Sequence, residues 1–292
     1  MSEFIQILVS GLSAGAIYAL AAVGFTLLWQ ASQTINFAQG EFVMIPAFFV
    51  LAFMNWAGMP FWLSILFAIV VSVIVLGAVF KKLVVDPMMR HGTLPLVIAT
   101  IALGLLMKES VKELYSPLGQ PFPSLFPADV LTFLGASISV SDIANFAIAM
   151  GTIVALQLFL QKTRTGRCMQ ATAQNPDVAQ ILGVDIKRMV LYTFLINGAL
   201  AAIASVLITP VYLAKFSNGE VLGLVAFIAA IVGGFNQIRG ALVGGLLIGV
   251  IDNLSATYVS SEYRQAMPLI LLIVIILVRP QGIMGTSEGR AV

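Results

Sequence analysis

The sequence predicts an all-α membrane protein that crosses the bilayer eight or nine times. Apolar residues make up 60% of its 292 positions and charged residues only 10%, against roughly a quarter charged in a soluble domain. A hydrocarbon core about 30 Å thick takes roughly 20 residues of helix per crossing. A chain of this length is therefore almost entirely spans and short loops, and a water-soluble globule is excluded.

Nine apolar runs mark the candidate helices. They lie at residues 4–28, 42–56, 62–80, 94–107 with an extension to about 115, 142–161, 189–213, 221–235, 241–258 and 266–279. The short runs at 42–56 and 221–235 each follow a polar stretch that contains glycine, which is typical of a broken or re-entrant helix. If 221–235 enters and returns on one side, the number of spans is eight. The first run has no basic start, so we interpret it as a retained helix and not a signal peptide.

Basic residues set the predicted orientation, because Lys and Arg in short loops stay on the cytoplasmic side. Lys81 and Lys82 fall in one loop, and five basic residues fall in the loop at 162–188. With both loops in the cytoplasm and nine spans, the N-terminus lies outside and the C-terminus inside. The same assignment leaves Lys108 and Arg264 outside.

A candidate inverted repeat relates two pairs of runs at an offset of 179 residues. Phe37-Ala-Gln-Gly-Glu41 aligns with Phe216-Ser-Asn-Gly-Glu220, and the run at 42–56 then falls on 221–235 without a gap. On the predicted orientation the first copy begins inside and the second outside, as in inverted-topology transporter repeats. The alternative is a chance alignment, since Phe, Gly and apolar runs are abundant here.

Catalytic signatures are absent from the sequence. There is no P-loop, no H-E-x-x-H and no G-x-S-x-G motif. The single His91 and the single Cys168 leave no cluster for zinc and no internal disulfide. No basic face with interleaved aromatic residues suits nucleic acid. We therefore predict a protein that is not an enzyme, needs no cofactor, binds no nucleic acid and takes its energy from an ion gradient or another subunit.

A charge buried in a span is costly and is usually retained for a task, and three acidic residues are candidates for this position. They are Glu41, Glu220 and Asp252. Each is a candidate for the solute path, or for the ion site of a gradient-driven carrier. The alternative for Glu41 and Glu220 is a solvated or helix-N-terminal carboxylate at a membrane end. For Asp252 it is an interfacial or hydrogen-bonded structural group.

The cytoplasmic loop at 162–188 carries short side chains at four-residue intervals. Gly166 and Arg167 are followed by Ala171, Asn175, Ala179 and Gly183. Four-residue spacing places side chains on one stripe of a helix, where another surface approaches the backbone closely. The alternative is a solvated connector.

A short helix is predicted inside this loop. Pro176 suits a first helical turn, with Asn175 as N-cap and Asp177 near the positive helix end. The helix should therefore run from Pro176 to Leu182, and Gly183 should end it.

At these residues the chain resembles a known family. Gly166-Arg167-x3-Ala171-x3-Asn175-x3-Ala179-x3-Gly183 is similar to the coupling loop of ABC importer permeases for branched-chain amino acids, ribose-type sugars and related solutes. Further blocks resemble signatures of the high-affinity branched-chain amino acid permeases. These are Gly11-Leu-Ser-Ala-Gly-Ala-Ile-Tyr-Ala-Leu20, Ile35-Asn-Phe-Ala-Gln-Gly-Glu41, Val232-Gly-Gly-Phe, Gly240-Ala-Leu-Val-Gly-Gly-Leu246 and Arg279-Pro-Gln-Gly-Ile283.

The resemblance covers essentially the whole chain, with two small departures. Gln39 stands where the family often has His, and Asn236-Gln-Ile-Arg239 replaces a small turn that contains proline. It implies one permease domain over 1–292 in the bacterial inner membrane. It also implies four protein partners: a homologous second permease, two cytoplasmic ATPases at the coupling loop, and a solute-binding protein outside. Membrane lipid is a further implied partner. The implied solute is a branched-chain or related amino acid, with urea or a short amide as the alternative and an ion-coupled carrier as a further rival.

Amide side chains complete the candidate solute path, because an aliphatic zwitterion needs an apolar wall and a few dipoles. The candidates are Asn36, Gln39, Asn197 and Asn253, each of which could instead be satisfied within its own helix packing. Gly11 and Gly15 form a G-x-x-x-G pair that serves either packing within the chain or a subunit interface.

Overall fold

The computed structural model describes residues 2–89, 91–127, 129–133, 136–260, 263–264 and 266–285. Long apolar helices dominate it, because in lipid a helix satisfies its backbone polar groups within one segment. Six described helical segments are long and apolar enough to span a membrane: Ser2–Ser32, Phe61–Met89, Thr93–Leu114, Val140–Lys162, Ile186–Tyr212 and Ile238–Tyr258. Three shorter apolar helices are Gln39–Asn55, Asn218–Gly233 and Ala266–Val278. The protein is therefore an all-α polytopic membrane protein.

Each of the nine apolar runs corresponds to a helical segment of the structure. In chain order the helices are α1 (Ser2–Ser32), α2 (Gln39–Asn55), α3 (Phe61–Ser72), α4 (Asp86–Met89), α5 (Thr93–Leu114), α6 (Val140–Lys162), α7 (Arg164–Gln174), α8 (Pro176–Ile181), α9 (Ile186–Tyr212), α10 (Asn218–Gly233), α11 (Ile238–Tyr258) and α12 (Ala266–Val278). Between α3 and α4 the chain continues through two π-helical stretches, Val73–Val79 and Lys81–Val85.

A β-hairpin lies between α5 and α6, and the sequence analysis does not anticipate it. Strand β1 (Val130–Phe133) pairs in antiparallel register with β2 (Ala136–Ser139), and Leu131 lies opposite Ile138. The all-α description therefore holds for the spans and not for this connection.

The described chain divides into two compact units. One contains the residues up to 26, 126–150 and those from 224 onward, and the other contains 27–125 and 151–223. Helices α1, α6 and α10 each contribute residues to both units. The range 1–292 that the sequence indicates as one domain thus contains two packing units.

In the first unit, glycines bring α1 against α11. A Cβ added to Gly15 would lie 2.9 Å from the Cα of Leu246, and one added to Gly11 would lie 3.0 Å from the Cα of Val250. Small residues allow such close approach of helix backbones in membranes. The G-x-x-x-G pair therefore packs two helices of the same chain, which was one of the two roles considered for it.

In the second unit, α2 packs against α3, α5 and α9 and most of its residues are buried. Pro46 lies inside α2 and cannot donate a backbone hydrogen bond. The next amide, that of Ala47, donates to the Oγ of Ser205 on α9 at 3.0 Å. A polar side chain of α9 is thus fixed to the backbone of α2 beside the proline.

Candidate functional site

Two helix N-termini meet in the second unit, at the two segments of the candidate repeat. Gly40, in the first turn of α2, lies against Gly219 and Gly223 of α10. A Cβ on Gly40 would collide with the carbonyl oxygen of Gly219, and one on Gly223 would lie 2.8 Å from the Cα of Gly40. Because only glycine lacks this atom, the three glycines permit the crossing.

The crossing lies near the middle of α5. A Cβ on Gly104 would lie 3.4 Å from the carboxylate Oε2 of Glu41 and 3.5 Å from the Cα of Ala38. Gly104 is about halfway along α5 (Thr93–Leu114), and a helix rises about 1.5 Å per residue. The Glu41 carboxylate therefore lies roughly 15 Å from either end of this candidate span. Glu41 lies in the first turn of α2 and is 6% exposed, so it is a helix-N-terminal carboxylate, one of the alternatives considered, but not a solvated one.

Three charged side chains gather at this crossing. The Nζ of Lys108 forms an ion pair with the Oε1 of Glu220 and lies 5.8 Å from the ring centre of Phe216. Both Glu220 and Lys108 are within electrostatic reach of Glu41. The neighbouring Lys112 is paired with Glu109 at 2.9 Å. Two carboxylates thus share one lysine.

Glu41 is the more deeply buried carboxylate of the two. Its residue is 6% exposed, whereas the Glu220 side chain is 54% exposed. Within the described chain, the only hydrogen bond to the Glu41 carboxylate comes from its own backbone N–H. No described cation lies within ion-pair distance of it. Its position in the first turn of α2 places it at the positive end of that helix.

Asn36 lies four residues before Gly40 in the sequence. It is 5% exposed. Its Oδ1 accepts a hydrogen bond from the amide of Ala38 at 3.1 Å. Its Nδ2 is buried and has no partner among the described residues. A buried amide donor without an acceptor is unusual, since most buried polar groups are paired.

Gln39 and Asn197 satisfy each other. The Nε2 of Gln39 donates to the Oδ1 of Asn197, and the Nδ2 of Asn197 donates to the Oε1 of Gln39, both at 2.9 Å. The two residues are 1% and 0% exposed. This pair therefore joins α2 to α9, which is the helix-packing role that the sequence analysis kept open for both.

Asp252 lies in the first unit and is bound within its own chain. Its carboxylate accepts two hydrogen bonds of 2.8 Å from Arg264 and one of 3.2 Å from the hydroxyl of Tyr18. The side chain of Asp252 is 8% exposed and that of Arg264 is 34% exposed. This geometry matches the structural alternative for Asp252.

Asn253 is also in the first unit. Its Nδ2 donates to the carbonyl oxygen of Gly249 at 3.1 Å. It lines an open polar cleft together with Glu3, Gln6, Ile7, Ser10 and Thr257. The structure therefore places five of the seven candidate path residues in the second unit (Asn36, Gln39, Glu41, Asn197 and Glu220) and two in the first (Asp252 and Asn253).

The coupling loop contains two helices. The predicted helix is confirmed as α8, in which the Oδ1 of Asn175 accepts from the amide of Val178 at 3.0 Å. Gly183 follows with a φ of +84°, a conformation that favours glycine. Helix α7 precedes it, and its N-cap Thr163 accepts from the amide of Gly166 at 3.0 Å.

The small residues of the loop do not form one exposed stripe. Asn175 has extended dihedrals and separates α7 from α8, so Ala171 and Ala179 lie on different helices. Ala179 is 1% exposed, because α8 packs against α7 and α9 and the amide of Val184 returns to the Ala179 carbonyl. The expectation that Ala179 itself faces a partner is corrected here.

Apolar side chains cover the outer surface of α8 instead. Val178 is 50% exposed, Ile181 is 84% exposed and Leu182 is 76% exposed. Gly166 packs its backbone onto the end of α6 at Phe159 and Leu160, and Arg167, Pro176 and Asp177 are exposed. The loop thus presents an apolar tip held in place by its own small residues.

Sequence reasoning missed three features of these sites. The ion pair of Lys108 with Glu220 was not predicted, although a lysine within an apolar segment is itself a signal of a charged partner. The ion pair of Arg264 with Asp252 joins residues on either side of a loop, and spacing alone does not reveal it. The contact between Gly40 and Gly219 was not predicted, because the repeat aligns these two positions without placing them together.

Comparison with known proteins now bears on these sites. Residues 7–276 match the family model described as the branched-chain amino acid transport system / permease component. The chain is 31% identical to the high-affinity branched-chain amino acid transport system permease protein LivH of Salmonella typhimurium, covering 99% of this chain and 98% of that one. It is also 31% identical to the permease protein BraD of Pseudomonas aeruginosa, over 99% and 98%.

An archaeal relative is more distant. The probable branched-chain amino acid transport permease protein LivH of Methanocaldococcus jannaschii is 28% identical, over 92% of this chain and 88% of that one. No solved structure matches the chain. The match along nearly the whole length shows that this chain belongs to the family of branched-chain amino acid transport permease components.

Proposed function

We propose that this chain forms half of the translocation path of an ABC importer for branched-chain amino acids in a bacterial cytoplasmic membrane. The match of residues 7–276 to the permease family carries this proposal. The chain has no nucleotide-binding loop, so the energy comes from two ATPase subunits on the cytoplasmic side. A homologous second permease completes the path, and a solute-binding protein delivers the amino acid from outside.

The proposed topology has nine crossings, with the N-terminus outside and the C-terminus inside. Helices α2 and α10 have 17 and 16 residues, about 25 Å each, which is short of a hydrocarbon core about 30 Å thick. Both begin at the crossing of Gly40 and Gly219, near the middle of α5. They are therefore broken helices that start within the membrane, as in many transporters.

The inverted repeat gains support from the same crossing. Helix α2 begins at residue 39 and α10 at residue 218, the positions that the offset of 179 pairs. Gly40 and Gly219 are also equivalent positions, and they touch each other. Two equivalent residues contact each other where a two-fold axis passes between them. We infer that such an axis relates the first turns of α2 and α10.

Energy coupling is assigned to the apolar tip of α8. Val178, Ile181 and Leu182 are exposed next to Asn175, Pro176 and Asp177, and exposed apolar clusters mark interaction sites. In this proposal the tip sits in a groove of an ATPase subunit. The buried Ala179 holds α8 against α7 and α9, and Gly166 packs α7 onto the end of α6, so movement of the tip reaches the spans.

Two rival functions make different predictions. A permease for urea or a short amide would have the same architecture, but the relatives reported above are named for branched-chain amino acids. A stand-alone ion-coupled carrier would need no ATPase. Glu41 and Glu220 are its candidate ion sites, so the two mechanisms must be separated by experiment.

Reconstitution of the purified complex into proteoliposomes tests the proposed function. We expect the chain to co-purify with two ATPase subunits and a second permease, and to import leucine with ATP and loaded binding protein. Urea should not be imported, and an uncoupler should leave leucine uptake unchanged at constant ATP. Uptake that needs an ion gradient and no ATPase would overturn the importer mechanism. Uptake of urea but not leucine would overturn the solute.

A further inference from the structure

The crossing of α2 and α10 carries an unbalanced charge. Glu41 and Glu220 contribute two negative charges and Lys108 one positive charge, and Lys108 is already paired with Glu220. Glu41 remains 94% buried with only its own amide as a hydrogen-bond donor within the described chain. A carboxylate without a cation near the middle of a membrane is costly and marks a functional site.

A second buried group of opposite character lies in the same turn. The Nδ2 of Asn36 is a donor without an acceptor in the described part of the chain. Asn36 is fixed to Ala38 by a hydrogen bond of 3.1 Å. Ala38 and the Glu41 carboxylate both lie next to Gly104 of α5. The segment 36–41 thus presents one carboxylate without an ion-pair partner among the described residues and one unsatisfied donor.

We propose that Glu41 binds the ammonium group of the transported α-amino acid and that Asn36 donates to its carboxylate as the solute passes the middle of the membrane. This inference rests on the proposed function and names the chemistry of its central site. An ammonium group beside Glu41 would neutralise the excess negative charge. A neutral solute such as urea has no group that could do so.

Lys108 explains why the site prefers a primary ammonium. Its Nζ is the same chemical group as the solute's ammonium, and it already occupies the more exposed carboxylate, Glu220. Glu41 is the equivalent position in the inferred repeat, and no cation among the described residues forms an ion pair with it. The transported amino acid would therefore take at Glu41 the place that Lys108 takes at Glu220.

The experiment uses the complete reconstituted complex with loaded binding protein and radiolabelled leucine. Glu41→Gln keeps the size of the side chain and removes the charge. We expect leucine uptake to fall by at least about tenfold, as when one partner of a buried charge pair is removed. We expect the rate of ATP hydrolysis to stay within about twofold, because the substitution leaves the apolar tip of α8 and its contact with the ATPases unchanged. Glu41→Asp should restore part of the uptake.

Asn36→Asp tests the second contact. It keeps the oxygen that accepts from the Ala38 amide and removes the donor, so we expect leucine uptake to fall without loss of assembly. Glu109→Gln is the matched control, because Glu109 is an exposed carboxylate on α5 that pairs with Lys112. It should transport leucine at the rate of the unmodified complex.

A measurement on the unmodified complex keeps the inference falsifiable if the variants fail to assemble. 3-Methylbutylammonium carries the leucine side chain and an ammonium group, whereas 3-methylbutan-1-ol carries a neutral hydroxyl. The ammonium compound should inhibit leucine uptake and the alcohol should not. Equal effects of the two compounds, or normal uptake by assembled Glu41→Gln, would overturn the inference while leaving the importer function intact. A complex that does not import leucine at all would overturn the proposed function itself.

Discussion

Gln39 and Asn197 exchange two hydrogen bonds of 2.9 Å between α2 and α9, from side chains that solvent does not reach. Removing one partner would leave the other amide buried without hydrogen bonds, which costs about 1–3 kcal/mol. We expect Gln39→Leu and Asn197→Leu each to lower the unfolding temperature of the purified permease. The double variant should lose less stability than the sum of the two. Additive losses would show that the two amides act independently.

The crossing of α2 and α10 depends on the absence of a side chain at position 40. We expect Gly40→Ala to prevent the close approach to Gly219 and to reduce both assembly and leucine uptake. Gly151→Ala is the matched control, because nothing lies within 4 Å of its added Cβ. It should leave stability unchanged or raise it by up to about 1 kcal/mol. Normal assembly of Gly40→Ala would contradict the crossing.

The ion pair of Arg264 with Asp252 fixes the connection before α12 to α11. Arg264→Met would leave a buried carboxylate that keeps only the Tyr18 hydroxyl of its three donors. Loss of one partner of a fully buried pair costs about 3–5 kcal/mol, and the partial exposure of Arg264 reduces this figure. Thermal unfolding in nanodiscs should show the loss, and Asp252→Asn in the Arg264→Met background should recover part of it. No change in unfolding would indicate that the pair contributes nothing.

We expect the apolar tip of α8 to be required for binding of the ATPases. Ile181 is 84% exposed, so Ile181→Arg changes the outer surface without burying a charge in the loop. We expect this variant to keep the second permease and to lose the ATPases in a pull-down. Gln174→Arg, at the exposed end of α7, should keep both. If Ile181→Arg retains ATPases and ATP-driven uptake, the tip is a solvated connector.

Orientation can be checked by cysteine labelling of intact cells in a Cys168→Ser background. We expect a cysteine at Ser124 to react with an impermeant reagent added outside, and one at Gln174 to react only after permeabilisation. Thr172 is a poorer position in the same loop, because it is 4% exposed. External labelling at position 174 would reverse the proposed topology.

The features that could be predicted from the sequence depend on residues close together in the chain. The start and end of α8 were predicted because an N-cap, a proline and a glycine act within a few residues of one another. The apolar runs predicted the spans because the length and hydropathy of a run are properties of that segment alone. The starts of α2 and α10 lie 179 residues apart, which is the offset of the candidate repeat.

The features that could not be predicted from the sequence depend on contacts between distant segments. The inward direction of Ala179 depends on how the chain returns to α9, and periodicity does not contain that information. The pairing of Lys108 with Glu220 depends on the approach of α10 to α5. Gln39 and Asn197 were listed as path residues because each is polar within an apolar run, and only the structure pairs them.

The pairing of Gln39 with Asn197 also sets an order of events during synthesis. The two residues are 158 positions apart. Because a ribosome adds about 5–20 residues per second, Asn197 is synthesised roughly 8–30 s after Gln39. During this time α2 has left the ribosome while the polar groups at its start have no α9 or α10 to contact. The nascent chain therefore cannot complete its first half alone, and a protein truncated before α9 should be degraded by membrane quality control.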